Sequence, residues 1–207
     1  MATKTASPVS ELRHQVILDG DRWGAVVRPG NYDEVLRFGG KLDAHRHEAC
    51  LELGRAVIVE DLKLKGKPLT PAAIASIGLQ SILIAGDAAT ARECSKDELG
   101  DAAAAIAVAH DEKPYELICL RLEDKHFATT DFLFVEPEPA RFESYSSAKH
   151  KGGGLDKDRD FVRQYLVREM QGQLETLERD APLAIAALAR ELAKIGGVVF
   201  EAHLGKA

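Results

Sequence analysis

Short apolar runs that end in proline alternate along the chain with longer apolar stripes at helical spacing, and this order occurs twice. In the first passage, Val16-Ile17-Leu18, Asp19-Gly20-Asp21 and Trp23 to Val27 predict a β-hairpin, because Asp-Gly supplies the positive-φ geometry of a tight turn. Asn31 is placed to cap a short helix from Tyr32 to Phe38, ended by Gly39-Gly40. Asp43 is placed to cap the next helix, which carries Ala49, Leu53, Ala56 and Val57 on one face and runs to about Glu60. After a Lys65-Gly66-Lys67-Pro68 turn, Thr70-Pro71 opens a third helix with a capping hydroxyl and a proline at its first position. Gly78 is expected to break or kink that helix before Leu79 to Ala85.

In the second passage, Tyr115 to Leu122 reads as a strand buried on much of both faces. Glu123-Asp124-Lys125 turns it towards Phe132 to Val135, which precedes Pro137 and Pro139. A short helix is expected from Pro139 or Ala140 to near Ser147, and Lys151-Gly152-Gly153-Gly154 reads as a flexible loop. Asp158 or Asp160 starts a helix with Phe161, Val162, Tyr165, Leu166 and Met170 as its stripe. Gly172 interrupts it, and Leu174 and Leu177 continue. Past Asp180, the residues Ile185, Leu188, Leu192 and Ile195 form one buried helix face, stopped by Gly196-Gly197.

The two passages match in order, with residue identity near chance. An aromatic and an acid follow the strands (Tyr32-Asp33 and Phe142-Glu143), and Leu51 and Val57 in one stripe correspond to Phe161 and Val167 in the other. Pro71, Ile74, Ile77 and Ile84 correspond to Pro182, Ile185, Leu188 and Ile195, with Gly86 and Gly197 closing. This order predicts an internal duplication. Between the passages, Asp87 to Lys113 is alanine-rich; Ser95 to Glu98 has capping-box spacing and predicts a helix to about Ala109. That segment reads as a connector, or as part of the first core through Ile106 and Val108. The expected fold class is α+β: two tandem small units, each a β-hairpin followed by about three helices, joined by a helical connector. The boundaries are an N-terminal arm at 1–15, a first unit at 16–86, the connector at 87–113, a second unit at 114–200 and a tail at 201–207.

A chain of 207 residues with 45% hydrophobic and 29% charged content has an ordinary globular composition. Its formal charge of −6 argues against nucleic-acid binding, with a local basic patch only at Lys149, His150 and Lys151. No apolar run approaches the ~18 residues of a membrane span. Met1 to Ser10 lacks the apolar segment of a signal peptide and reads as a short disordered arm. Cys50, Cys94 and Cys119 are widely spaced and odd in number, which suits a reducing cytosol and an intracellular protein.

Candidate chemistry is sparse. His45 and His47 are two apart, a spacing that shares a metal on a strand but diverges at a predicted helix start. Gly152-Gly153-Gly154 beside Lys149 and Lys151 lacks the lysine-hydroxyl ending of a phosphate-binding loop. The three cysteines show no paired spacing, and Ser144, Ser146 and Ser147 lack a nucleophile-elbow context. Asp33-Glu34 and Glu136/Glu138 read as exposed charges. The expectation is a non-enzyme with no catalytic, cofactor-binding or metal-binding residues. The rival is an enzyme or metal protein assembled from distant residues, with His45, His47, His126 and His150 as first suspects.

Two stretches carry a family resemblance. Leu53 to Ile84, with Val57-Ile58-Val59-Glu60, Gly66-Lys67-Pro68-Leu69-Thr70-Pro71 and a closing Leu/Ile-rich helix, resembles phage tail assembly chaperones. The second passage looks like a related version, with Phe132-Leu133-Phe134 before prolines, Phe142, the helix Phe161 to Met170, and Leu174 to Pro182 leading to a helix that ends at Gly196. The resemblance covers about two thirds of the chain and departs from the family in placing two units in tandem. It implies a non-enzymatic helper in the host cytoplasm that coats the tape measure protein, or another tail protein, and keeps it soluble during tail assembly. It further implies possible self-association, and contact with neither nucleic acid nor membrane. The alternative is a permanent structural component of a phage tail, neck or injection apparatus.

Overall fold

The computed structural model describes residues 13–18, 22–111, 113–137, 144–145 and 154–195. The chain is α+β and divides into two units, Met1–Ile82 and Leu83–Ala207, each holding a three-stranded antiparallel sheet.

In the first unit, β1 (His14–Leu18) pairs with β2 (Trp23–Val27), from His14 opposite Val27 to Leu18 opposite Trp23. The strand begins at His14, inside the stretch expected as an arm, because the alternation of half-buried His14, Val16 and Leu18 with exposed Gln15 and Ile17 starts there. Asn31 caps α1 (Tyr32–Lys41): its side chain accepts the Glu34 N–H, and the Glu34 carboxylate accepts the Asn31 N–H. Gly39 and Gly40 do not end this helix; they lie inside it without positive φ, and the Leu42 N–H closes onto the Gly39 carbonyl. The next helix, α2 (Arg46–Val57), is preceded by His45 rather than capped by Asp43. It stops short of Glu60 because the β-branched run Val57-Ile58-Val59 leaves the helix as β3 (Ile58–Asp61), paired with β2.

The turn after β3 places Lys63, Lys65 and Gly66 at positive φ, and the Asp61 carboxylate braces it by accepting the N–H groups of Lys63 and Leu69. Thr70 then accepts the Ala73 N–H through its hydroxyl and starts α3 (Pro71–Ile82). Gly78 neither breaks nor kinks α3. It is a contact point: a Cβ there would lie 2.0 Å from the Cys50 carbonyl oxygen, and one on Gly54 would lie 2.1 Å from that of Ile74. The backbones of α2 and α3 therefore touch, and Leu53, Val57 and Ile77 fill the core beneath β2 residues Ala25 and Val27.

The second unit begins at Leu83, in a π-helical turn (Leu83–Asp87) that follows α3. Gly86 has φ 95 there and leaves no room for a side chain, since a Cβ would lie 2.9 Å from Ala184 Cβ. The Leu183 N–H donates to the Ala85 carbonyl, so this turn, expected to close the first unit, packs in the second. The segment 87–113 also belongs to the second unit instead of connecting the two. Its β4 (Thr90–Glu93) pairs with β5 (Leu117–Glu123), which pairs in turn with β6 (Thr130–Val135). The Ser95/Glu98 capping box forms, but over a single 3-10 turn, Lys96–Glu98. The chain then breaks at Gly100, whose N–H donates to Asp131, before α4 (Asp101–His110) starts.

Sheet β4-β5-β6 is apolar on both sides, with Leu120, Leu122, Phe132, Leu133 and Phe134 fully buried. Helix α5 (Leu155–Tyr165) ends at Tyr165 rather than running to Met170. There Leu166 bridges to Phe134, the Val167 N–H donates to the Leu133 carbonyl, and Met170 Sδ accepts the Leu133 N–H. After a 3-10 turn, α6 (Gln171–Asp180) carries Gly172 in its first turn. The last helix, α7 (Ala184–Ile195), buries Ile185, Leu188 and Leu192 fully and Ile195 in part, against α5, β4 and β5.

The two units share part of an order. In each, the helix after a hairpin ends by pairing with the hairpin's second strand, Ile58 opposite Val27 and Leu166 opposite Phe134. Counted back from those helix ends, Leu53, not Leu51, holds the place of Phe161. The second unit adds β4, α4 and α6 to that order. The expected Asp19-Gly20-Asp21 turn, Phe142, the loop glycines Gly152 and Gly153, and the Gly196-Gly197 stop lie outside the described residues, as do 1–12 and 201–207. The expected helix ending near Ser147 is described only at Ser144 and Tyr145, which are helical. Among the described residues, no helix is long and apolar enough to cross a membrane.

Candidate functional site

Helix α4 ends at His110, and the chain returns through Tyr115 to enter β5, so a helix terminus and a strand entrance wall off one cavity of about 410 Å³. Lys96, His110, Asp111, Lys113, Tyr115 and Glu116 are among its lining residues, giving walls of both charges. The His110 ring is largely shielded: Nδ1 lies 2.8 Å from the Tyr115 hydroxyl, and Nε2 lies 3.5 Å from the Glu169 carboxylate. In the tautomer that carries the proton on Nε2, Glu169 accepts from Nε2–H and Nδ1 accepts from the Tyr115 hydroxyl. Glu169 sits below its usual pKa, held there by its own backbone N–H and then by His110, despite some burial. Lys96 and Asp111, both on the cavity lining, pair with each other. A hydroxyl, an imidazole and a carboxylate in this order can pass a proton. The same bonds tie the end of α4 to the β5 entrance and to the turn before α6.

A second polar cluster lies on the sheet. Arg121 and Asp131 face each other across β5 and β6 and pair at 2.7 Å, with the Asp131 side chain 9% exposed. Arg121 also donates to the Glu98 carbonyl, while Arg92 pairs with Glu98 at 3.1 Å and with Glu123 at 3.6 Å. The Arg121 hydrogen bond, ahead of an opposing desolvation and the Gly100 N–H, holds the Asp131 carboxyl below its usual value. In the first unit, Arg28 grips Glu34 with two bonds of 2.8 and 2.6 Å and donates to the Ala56 carbonyl, tying the α1 cap to the end of α2. Burial pushes Glu34 up, but its bonds to Arg28 and the Asn31 N–H outweigh this and hold it low. In α5, Asp158 is 3% exposed and accepts a 2.6 Å bond from the Tyr145 hydroxyl, whose ring stacks on Phe161. Burial and then the bond to Asp158 push that hydroxyl well above the usual tyrosine range.

The histidines singled out from the sequence are not brought together. His45 is 66% exposed, with its Nδ1 4.0 Å from the Glu48 carboxylate, and His47 is exposed. His126 is half-buried in the turn between β5 and β6, and His150 lies outside the described residues, as do Lys149, Lys151, Glu138, Ser146 and Ser147. Ser144 and Glu136 are exposed, and Gly154 precedes α5. Among the described residues, no group of three His, Cys, Asp or Glu side chains is placed to hold a metal. Cys50, Cys94 and Cys119 are buried free thiols. Burial, then the Asp131 charge, pushes Cys94 up to about 11, and burial also raises Cys119, so both stay protonated near neutrality. His110 escaped the sequence reading because its partners come from a loop and from a turn 59 positions away, with no motif joining them. Its position in the last turn of an alanine-rich helix was the one available signal.

Comparison with protein-family models, curated proteins and solved structures finds no match to this chain.

Proposed function

We propose that the protein is a non-enzymatic tail assembly chaperone built from two tandem units of that family's kind. In this reading it binds the tape measure protein, or another tail protein, in the host cytoplasm and keeps it soluble until the tail forms around it. One observation carries the proposal: large apolar side chains stand exposed on both units. They are Ile17 on β1, Leu36 on α1, Val59 on β3 and Leu79 on α3 in the first unit, and Leu83 in the π-helical turn and Val108 on α4, 69% exposed, in the second. A protein that coats an extended apolar client needs many shallow contacts, whose combined avidity replaces one tight pocket. The Gly66-Lys67-Pro68-Leu69-Thr70-Pro71 turn into α3, on which the family resemblance rests, adds support.

Co-expression with the tape measure protein of the same genome tests this. The client is expected in the soluble fraction with several copies of this chain, and the chain is expected to be missing from finished particles by mass spectrometry. Changing Leu36, Leu79 and Val108 together to lysine should return the client to the pellet while leaving the chain folded. An insoluble client, with the chain present in particles at fixed stoichiometry, would instead favour a permanent tail component.

A further inference from the structure

Among the described residues, strand β1 is an edge of the first sheet, and its character differs from that of the other edge strands. β3 carries Glu60 and Asp61 and β4 carries Arg92 and Glu93, charges of the kind that discourage strand addition, while Leu166 and Val167 already pair along β6. β1 reads His-Gln-Val-Ile-Leu, with no acid, lysine, arginine or proline. The direction of its backbone groups follows from the ladder. The Gly24 carbonyl accepts the Leu62 N–H on the β3 side, so Gly24 and its partner Ile17 form a non-hydrogen-bonded pair between β1 and β2. Ile17 therefore turns its N–H and C=O away from β2, and by the two-residue alternation Gln15 does the same.

We propose that β1 is a dimerisation edge, at which two copies of the chain join β1 to β1 antiparallel about a two-fold axis through Val16. This register sets Gln15 of one copy against Ile17 of the other, so the outward donors and acceptors of both are satisfied reciprocally. Val16 meets its own counterpart as a close, non-hydrogen-bonded pair, and His14 meets Leu18. Centring the axis on Ile17 would carry Gln15 past Leu18, the last residue of the strand. Ile17 is 39% exposed, and its side chain leans over Gly24 beside Leu62 and Leu64, so apolar surface reaches the edge that a second copy would cover. The dimer joins two three-stranded sheets into one of six strands. It rests on the strand geometry alone and stands apart from the chaperone reading.

Sedimentation velocity on the full chain over a wide concentration range tests it. A monomer–dimer equilibrium is expected. Ile17→Pro removes one outward N–H per copy and no β1–β2 ladder bond, and should raise the dimer dissociation constant about tenfold or more. Ile17→Lys, an exposed edge charge, should act likewise if the proline variant fails to fold, with Trp23 fluorescence reporting the fold in both. Val16→Cys should cross-link two copies under mild oxidation, because facing Cβ atoms at such a pair lie within disulfide reach, while Val59→Cys on the opposite edge should not. A wild-type chain that stays monomeric, a dimer indifferent to both Ile17 changes, or equal cross-linking at Val59 would overturn the proposal. So would protection of the β1 amides from exchange only after an extended client peptide is added, which would assign the edge to the client.

Discussion

Replacing Gly78 by alanine tests whether α2 and α3 are held at backbone contact. Within an isolated helix the change is favourable by about 1 kcal/mol, since alanine is the better helix former. Here the new methyl would lie 2.0 Å from the Cys50 carbonyl oxygen and 2.7 Å from the Gly54 nitrogen. Both are backbone atoms, so no rotamer change relieves the overlap, and ordinary contact near ~3.3 Å requires the helices to part by more than ~1 Å. A gap of that size forfeits a quarter to a half of each dispersion contact across the interface, in a core where Leu53, Val57 and Ile77 are at most 3% exposed. Overpacking of this kind typically costs about 1–3 kcal/mol, and rigid backbone on both sides places this case at or above the top of that range. Net of helix propensity, a loss of about 2–3 kcal/mol is expected. The sole tryptophan, Trp23, lies on β2 in the same unit, so urea titration followed by its fluorescence reads the first unit directly. Gly39→Ala in α1 is the control, because a Cβ there meets nothing within 4 Å and the residue is exposed; it should stabilise by about 0.5–1 kcal/mol. If Gly78→Ala behaves like Gly39→Ala, the close crossing is not a feature of the folded protein.

Three further outcomes are expected. Asp131→Asn should destabilise the second unit by about 1–3 kcal/mol at neutral pH, by depriving the shielded Arg121 of its counter-charge. Because the folded pKa of Asp131 is depressed below its ordinary 3.8, the wild-type advantage should be complete above that value and vanish as pH falls through the folded pKa; a gap that persists in strong acid would refute the assignment. In an ultraviolet titration of the folded chain to about pH 11, past the ordinary tyrosine value, Tyr145 should stay protonated, so Tyr145→Phe should leave the amplitude unchanged while lowering stability by about 1–2 kcal/mol. Lys63→Gly should stabilise the first unit by up to about 1 kcal/mol in thermal melts, since φ 46 strains any side-chain-bearing residue; a loss would mean that the lysine side chain outweighs the strain.

Local chemistry was the legible part of the fold. The Asn31 cap, the Ser95/Glu98 capping box and the Thr70-Pro71 start all form, because each needs only residues within one turn; the Glu34 half of the Asn31 box, read as an exposed charge, was missed. The β5–β6 pair is also readable, since Phe132 to Phe134 and Ile118 to Leu120 are apolar at successive positions. The missed strands fail for different reasons. β3 continues the apolar pattern of α2, so periodicity runs through the point where pairing with β2 takes over, and only the β-branched Val57-Ile58-Val59 run marks it. β4 reads Thr-Ala-Arg-Glu, with no alternation to detect; the β5 ladder and the Arg92 ion pairs hold it. Gly78 was read as a helix breaker because a sequence carries no trace of the backbone that presses on it. The cavity at His110 depends on Glu169, whose place is set by the end of α5 at Tyr165, itself a tertiary effect of pairing with β6.

The place of α7 in the chain has a consequence for synthesis on the ribosome. The first unit has every strand and helix it packs once Ile82 has emerged. The second sheet is complete at Val135, yet Ile185, Leu188 and Leu192, which fill its core, are made only afterwards. At about 5–20 residues per second, the stretch from Val135 to Leu192 takes roughly 3 to 11 seconds to emerge. Sheet formation takes microseconds to milliseconds, so for that interval a nascent β4-β5-β6 sheet would stand with an uncovered apolar face, Phe132 and Phe134 among it. The chain thus asks most of the cell's own holdases late in translation, and a pause codon shortly before α7 would lengthen the exposure while one after Ile82 would not.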